Sequence, residues 1–600
     1  MMKKRVADIV VETLLELGIS ECFCVVGGGA MHLNNAFKIN EHMHVTYCHH
    51  EQACAFAAEG YAKYSGAIAA VSVTSGPGAV NTLNGVYSAW VDSTPMIVIA
   101  GHPRLDTTVE ACGLNLRCRG VQEYNIIPSV TGMTKYAVMI TDPATVKSEI
   151  IKAYNIAMSG RRGPVWISIP LDIQALWIEE PCAEKEMEYE MAYEIEYKPE
   201  NVLPFDEIIQ KLRQAERPCI LAGSAIRFGG AMEGFLQLLD KLHIPIVGGA
   251  LLSDILPEGF PLYYGLSGNI GPRAGNFILQ NADVILVLGN SLSARQTGYN
   301  VEKFAPDAYF IMVDAESDEM KKPDLHIDLP VQTDLKTFFA QMCDFQREEI
   351  TAPASWIHYC EKACRLTAGW DEPEYDAKGR VPAKLFWKIF REKIAEDASI
   401  ALGNSNCVIG IFQYGVKEKH QRVITNYNAG SMGYDLPEAV GVAIASGKEV
   451  YCVTGDGSIM MNLQELQTIK YNQLPVKIVV FSNEGYGAIR QTCQNYFKGV
   501  YTGCDYESGI SFPGFEKIAE TFGFDYIHCA SCDELEEKIT CLTESKGQVL
   551  LEVEQLINDP VTPKVMSIMN AEGKFETPDL TEMSPLLPAE LRAELSSIAY

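Results

Sequence analysis

The stretch that most narrows what this chain can fold into is Gly455–Asn483, GDGSIMMNLQELQTIKYNQLPVKIVVFSN. An apolar run over 449–453 ends at Thr454 and the triplet Gly455-Asp456-Gly457. A helical pattern follows from Ser458 to about Asn472, and a second apolar run over 476–481 ends at Asn483. Strand, crossover helix and strand in that order build a parallel sheet. Both strands then finish on the same edge, so Asp456 and Asn483, 27 positions apart, converge there. Two oxygen-bearing side chains at a carboxyl edge suit Mg²⁺ or Ca²⁺, which take hard oxygen ligands and leave room for phosphate oxygens and water. Gly455 and Gly457 carry no side chain to hold a diphosphate off, and a helix starting at Ser458 points free N–H groups at it. The triplet alone is more often the Gly-rich turn of an ordinary βαβ unit. The Asn at this spacing moves the reading to a metal site.

At 600 residues the chain exceeds what one core can serve and calls for about three or four domains. A net charge of −28 argues against a general nucleic-acid or anionic-membrane binder, which would carry a basic patch. No run is long and apolar enough to span a bilayer. The start, MMKKRVADIVVETLLELG, sets Asp8, Glu12 and Glu16 at helical spacing, which predicts an amphipathic helix and not a signal peptide. The 18 cysteines have no regular spacing and are expected as free thiols of a cytoplasmic protein. Cys529 and Cys532 form a lone CxxC before a helical pattern, where a turn and cap is the commoner reading.

Strand and helix signals alternate over three blocks, giving an α/β fold class of three doubly wound parallel-sheet domains. The first, 1–178, has apolar strands at 22–26, 45–48, 68–73, 96–100 and 165–169. The Glu-rich stretch 175–202 is a linker. The second block, 203–345, has strands at 219–222, 244–247, 284–288 and 310–313 and no GxGxxG. An irregular stretch at about 345–380 precedes the third block, 380–560, which carries the metal motif. The tail, 561–600, is polar with several prolines and is expected to wrap the surface or cover a site.

GDG followed at this distance by Asn resembles the thiamin diphosphate motif, although the motif often ends Asn-Asn and here reads Ser482-Asn483. His50-Glu51-Gln52, Ala57-Ala58-Glu59-Gly60-Tyr61-Ala62, Thr74-Ser75-Gly76-Pro77-Gly78, Gly430-Ser431-Met432-Gly433-Tyr434 and Met461-Asn462-Leu463-Gln464-Glu465-Leu466 resemble the thiamin-dependent acetolactate synthase (acetohydroxyacid synthase) family over nearly the whole chain. The resemblance implies pyrimidine-binding, central and diphosphate-binding domains. It implies a homodimer or homotetramer with the active site between subunits, and raises the question of a regulatory small subunit. The metal ligands would be Asp456, Asn483 and the Gly485 carbonyl. Gly455, Gly457, Ser458, Tyr486, Gly487, Ala488 and Ile489 would line the diphosphate, and Pro77 and Asn81 the pyrimidine side.

Glu51 on its own reads as an acidic residue favouring a helix dipole. With the cofactor it becomes the carboxylate that drives the aminopyrimidine into its imino form. The Gly430 carbonyl would hold the 4′-amino group and Met432 would wedge beneath the cofactor, a place where a methionine is otherwise a core residue. Gln122 matches an active-site glutamine, and Gly28 a residue facing the reacting carbon.

The implied activity is decarboxylation of a 2-oxo acid, pyruvate first, and transfer of the two-carbon unit to a second carbonyl compound. Such enzymes serve branched-chain amino acid biosynthesis; related ones act in surface-polysaccharide pathways, with a keto-sugar as acceptor. A decarboxylase without ligation is the alternative. The family's acceptor-pocket Trp corresponds to Thr492, which widens that pocket. In the central block, the loop 289–298 with Arg295, and Asp314 after the next strand, resemble part of a structural FAD site; a relic pocket or an ADP-like ligand is the alternative. Lys135 is either an anchor for a substrate carboxylate or a solvated lysine.

Overall fold

The computed structural model describes residues 3–179, 202–249, 252–345, 348–569 and 573–596. Within them are three six-stranded parallel sheets. The first holds β1 (Glu21–Cys24), β2 (His44–Tyr47), β3 (Ala70–Val73), β4 (Met96–His102), β5 (Tyr136–Met139) and β6 (Pro164–Pro170), in the order β2-β1-β3-β4-β6-β5. The second holds β7 (Pro218–Ala222), β8 (Ile246–Gly248), β9 (Tyr263–Leu266), β10 (Val284–Leu288), β11 (Tyr309–Asp314) and β12 (Leu329–Gln332), in the order β9-β8-β7-β10-β11-β12. The third holds β13 (Ser399–Leu402), β14 (Arg422–Ile424), β15 (Val450–Gly455), β16 (Val476–Ser482), β17 (Asp525–Cys529) and β18 (Val549–Glu554), in the order β14-β13-β15-β16-β18-β17. The first and third sheets thus share one topology. The middle sheet has the strand order of a dinucleotide-binding fold, with its order reversing between β7 and β10.

β3, β4 and β6 are buried along their whole length, as parallel strands covered by helices on both faces must be. The first and third domains share one core, in which Ala57 and Ala58 of helix α1 (Glu51–Ser65) meet Ala439 and Val440 of helix α2 (Asp435–Ser446). The crossing is reciprocal. A Cβ on Gly60 would lie 2.5 Å from the Glu438 carbonyl oxygen, and one on Gly441 would lie 1.9 Å from that of Ala57. Each helix therefore brings a glycine against the carbonyl of a residue that precedes its partner's glycine by three.

The sequence understated some elements. β5, β9, β12, β13, β14, β17 and β18 were not expected, and the stretch read as irregular contains a helix, Ala354–Thr367. Its Trp356, Tyr359, Cys360, Ala363 and Thr367 are buried at helical spacing against the central core. The helix expected from Ser458 is broken: Asp456–Ile459 stops, and a second helix starts at Glu465. In the gap Asn462 turns its Nδ2 onto the Gly433 carbonyl at 2.6 Å, tying the break to the segment 430–433. The N-terminal helix forms over Val6–Glu16. Most of the expected 175–202 linker lies outside the described residues, though Trp177–Glu179 pairs with Lys3–Arg5. The tail packs onto the central domain, burying Leu580, Met583, Leu587 and Leu595. All described cysteines are free, Cys529 and Cys532 among them.

Candidate functional site

Asp456 stands at the end of β15, and Asn483 follows β16 beside it. Both are buried. Asp456 Oδ2 accepts the N–H groups of Asn483 (3.0 Å) and Gly485 (3.1 Å), and Oδ1 that of Gly457 (2.8 Å). Burial pushes the Asp456 carboxyl up to about 6, against the pull of these backbone donors. Asn483 donates Nδ2 to Gln555 Oε1 at 3.0 Å, which leaves Oδ1 buried with no hydrogen-bond partner. A carboxylate and an orphaned amide oxygen side by side fit a hard divalent cation. Gly485 sits at φ +152, and a Cβ there would be 1.9 Å from the Cys504 carbonyl oxygen, so only glycine fits this turn. Among the described residues no three His, Cys, Asp or Glu cluster as a metal site; the donors here are one carboxylate, one amide and main chain.

The segment 430–433 is tied to the same edge. Gly433 N–H donates to Ser458 Oγ (2.8 Å), and Ser458 Oγ and Thr454 Oγ1 both donate to Asp435 Oδ2 at 2.7 Å. Gly430 and Met432 are half-buried on this segment. Asn404 Nδ2 holds the Ser431 carbonyl at 2.8 Å.

On the first domain, Glu51 opens α1 and its Oε2 accepts from Asn81 Nδ2 at 3.0 Å. Three turns at the carboxyl edge of that sheet stack on one another. Gly29 N–H donates to Thr74 Oγ1 at 3.1 Å. Gly76 lies under the Gln122 main chain, and Gly78 under the Glu51 carboxylate. Gly28, Pro77, Asn81 and Gln122 are all exposed around this cluster. Two bonds link it to the third domain: His49 N–H to Glu465 Oε1 (3.0 Å) and Ser431 Oγ to Asn84 Oδ1 (3.0 Å). Lys135 is not brought to this edge. It lies where β5 and β6 begin, its Nζ on the Ser159 carbonyl at 2.6 Å, and burial pulls it down to about 8. Thr492 is exposed on the helix Gly487–Tyr496, which starts just past the turn that carries Gly485.

The central domain carries a cavity of about 310 Å³ at the strand-order reversal between β7 and β10, where open α/β sheets take ligands. Gly223 and Gly289, each ending one of these strands, touch there. Arg295 and Asp314 both line the cavity. Arg295 stacks over the Tyr427 ring at 3.9 Å, and burial pushes Asp314 up to about 6.

Three domain families match this chain: the thiamine pyrophosphate enzyme N-terminal TPP binding domain over residues 4–123, the central domain over 205–342 and the C-terminal TPP binding domain over 403–553. The chain belongs to the thiamine pyrophosphate enzymes. It is also similar over nearly its full length to acetolactate synthase large subunits. Identity is 28% to that of Lactococcus lactis, over 94% of this chain and 95% of that protein. It is 29% to the isozyme 2 large subunit of Escherichia coli, over 91% and 95%, and 29% to a probable acetolactate synthase of Oryza sativa, over 94% and 85%.

The candidate site also rests on residues that the sequence reading did not single out. Gln555 orients Asn483 and is itself held by Asp559, to which its Nε2 donates at 2.8 Å. Buried Arg490 donates to the carbonyls of Asn483 and Ile557, both at 2.7 Å, and so braces the turn that carries Gly485. Asp435 gathers Thr454 and Ser458. None of these has a local signal, because each acts on a residue distant in sequence or through main chain. A single sequence gives no reason to prefer Arg490 over other surface-like arginines.

Proposed function

We propose that this enzyme is a thiamin diphosphate- and Mg²⁺-dependent carboligase. It would decarboxylate a 2-oxo acid, pyruvate first, and pass the two-carbon unit to a second carbonyl compound. The observation that carries the reading is the buried Asp456–Asn483 pair with its unpartnered amide oxygen, in a chain that also keeps a carboxylate at Glu51. Asp456, Asn483 and the Gly485 carbonyl would hold the metal, and Gly455, Gly457, Ser458 and residues 486–489 the diphosphate. When bound, the cofactor supplies a stabilised carbanion equivalent at its thiazolium ring.

Glu51 would hold and return a proton on the pyrimidine, with Asn81 fixing its carboxylate. Gly430 would accept from the amino group, and Met432 would set the cofactor's bend. Gln122 and Gly28 would face the substrate. Val26, Met31, Val80 and Tyr87 of the first domain and Met461 and Ile489 of the third are exposed apolar side chains. A set of this kind is covered on assembly, which supports a homo-oligomer completing the site. Two of the matched relatives are named as large subunits, which supports a regulatory small subunit. The reversal-point cavity with Arg295 and Asp314 supports FAD in a structural role.

A second reading, transfer to a bulkier acceptor such as a keto-sugar, draws on Thr492, which leaves open space on the helix beyond the metal turn. No helix of the described residues is long and apolar enough to cross a membrane. The test is pyruvate consumption with thiamin diphosphate and Mg²⁺, following CO₂ and acetolactate together. Equal amounts of both support acetolactate chemistry. CO₂ with acetaldehyde supports a decarboxylase. No pyruvate loss by the cofactor-loaded protein redirects the search to other donors or an obligatory keto-sugar, and Thr492→Trp should then shrink the range of acceptors.

A further inference from the structure

A second cavity, of about 190 Å³, lies at the far end of α1, lined by its last turn and by Arg162, Arg227 and Arg422. α1 has 15 residues, so Glu51 is about 21 Å away along the helix. None of the residues assigned above to the thiamin site lines this cavity.

Its charge does not balance. Arg422 Nε donates to Asp254 Oδ2 at 2.8 Å, and Arg227 Nε lies 3.3 Å from Asp254 Oδ1. That one buried carboxylate serves two guanidinium groups, and Arg227 Nε has no hydrogen bond. Arg162 forms no ion pair among the described residues; its Nη1 donates to the Gly66 carbonyl at 3.2 Å. Arg422 also donates to the Lys63 and Tyr64 carbonyls, at 3.1 and 3.2 Å. The C-terminal end of a helix offsets about half a positive charge, which leaves the three arginines and Asp254 with an excess of roughly +1.5. Lys63, on the same wall, is shared by two carboxylates, Glu59 and Asp92, both 2.7 Å from its Nζ; with burial raising Glu59 to about 7, this trio lowers the excess by up to one charge, to roughly +0.5 to +1.5. Several planar guanidinium groups around one small pocket are a means by which proteins hold phosphate.

We propose that this cavity binds a phosphate-class dianion, gripped by Arg162, Arg227 and Arg422. The wall that would feel its presence reaches the other end of the molecule. Lys63 Nζ also donates to the Thr425 carbonyl (2.8 Å) and to Tyr434 Oη (3.2 Å), the two ends of the segment that carries Gly430 and Met432. An occupied cavity therefore braces that segment. The binding itself does not depend on which carbonyl compounds the enzyme joins.

The test is calorimetric titration of the protein already saturated with thiamin diphosphate and Mg²⁺, so that its diphosphate site is blocked, using inorganic phosphate and, separately, glycerol 3-phosphate. Saturable binding of either probe is expected, with a rise in unfolding temperature and competition by sulfate but not by an equal ionic strength of chloride. Arg227→Gln should weaken it at least tenfold and Arg227→Lys much less. Arg227 is the decisive position because, unlike Arg162, it does not line the central cavity. Binding of inorganic phosphate points to the free ion, and binding of the ester alone to a phosphorylated metabolite; both support the site. Should Arg227→Gln fail to fold, Arg162→Gln serves, since it breaks only a contact to a main-chain carbonyl. No binding of either probe to the wild type, or binding unchanged in the arginine variants, overturns the proposal and leaves the reading of the thiamin site untouched.

Discussion

The crossing of α1 and α2 allows a sharp test of how the two thiamin domains are joined. Gly441→Ala adds one methyl group 1.9 Å from the Ala57 carbonyl oxygen, with Ala57 C and Tyr61 N also within 2.8 Å. An ordinary carbon–oxygen contact is about 3.3 Å, so the helices must separate by about 1.4 Å. Both faces of the contact are main chain in regular helices, and no side-chain rotation relieves it. Alanine in a helix interior is favoured over glycine by about 1 kcal/mol, while overpacking a filled core costs about 1–3 kcal/mol. With main chain on both sides the upper end applies, for a net loss of about 1–2 kcal/mol. α1 begins at Glu51 and α2 at Asp435, so separation also disturbs both halves of the site. Thermal unfolding and thiamin diphosphate titration should show a lower midpoint and weaker cofactor binding. Ala57→Gly in the same background should not rescue either, because the clash is with a carbonyl. A midpoint equal to or above wild type, or rescue by Ala57→Gly, would refute the geometry.

Three other outcomes are expected. Glu51→Gln keeps a partner for Asn81 and should leave cofactor binding measurable while turnover falls about 10²-fold or more; full activity would remove Glu51 from the chemistry. Asn483→Leu deletes the unpartnered Oδ1 and strands Gln555, so Mg²⁺-dependent quenching of tryptophan fluorescence by thiamin diphosphate should vanish and stability should drop by about 1–3 kcal/mol. Burial raises Glu59 to about 7, with Lys63 pulling it down and Asp92 pushing it up. A carboxyl raised in the folded state binds its proton there first, so its contribution to stability is present below 4.5 and is lost as pH rises through about 7. Denaturation midpoints should fall across that window, and less steeply in Glu59→Gln; an identical slope would refute the assignment.

What the sequence determined by itself was local in kind. Gly455-Asp456-Gly457, the apolar runs on either side and the distance to Asn483 are close along the chain. A strand–helix–strand unit has one handed way to close, so the convergence of Asp456 and Asn483 at one sheet edge was legible in the sequence. Most buried strands of the first two sheets, and β15 and β16 of the third, were legible for the same reason, as apolar runs between turns; the buried β13 and β18 were not. Elements whose burial is partial were not: β5 and β12 are short strands at a sheet edge, β5 half-buried throughout and β12 carrying a proline, and the helix Ala354–Thr367 shows its apolar stripe only once the core it faces is known.

The tertiary structure alone decided the rest. It turned Asn483 so that one amide atom is satisfied by Gln555 and the other is left over. It stacked the turns of Gly29, Thr74, Gly76, Gln122 and Glu51, which span more than 90 residues of chain. It set Lys135 at the wrong edge for a role in that site. It also gathered Arg162, Arg227 and Arg422 from three domains around one cavity. Spacing along a chain governs what a single βαβ unit can present. Which side chains meet across domains depends on how helices such as α1 and α2 pack, and that is fixed by close contacts between residues hundreds of positions apart.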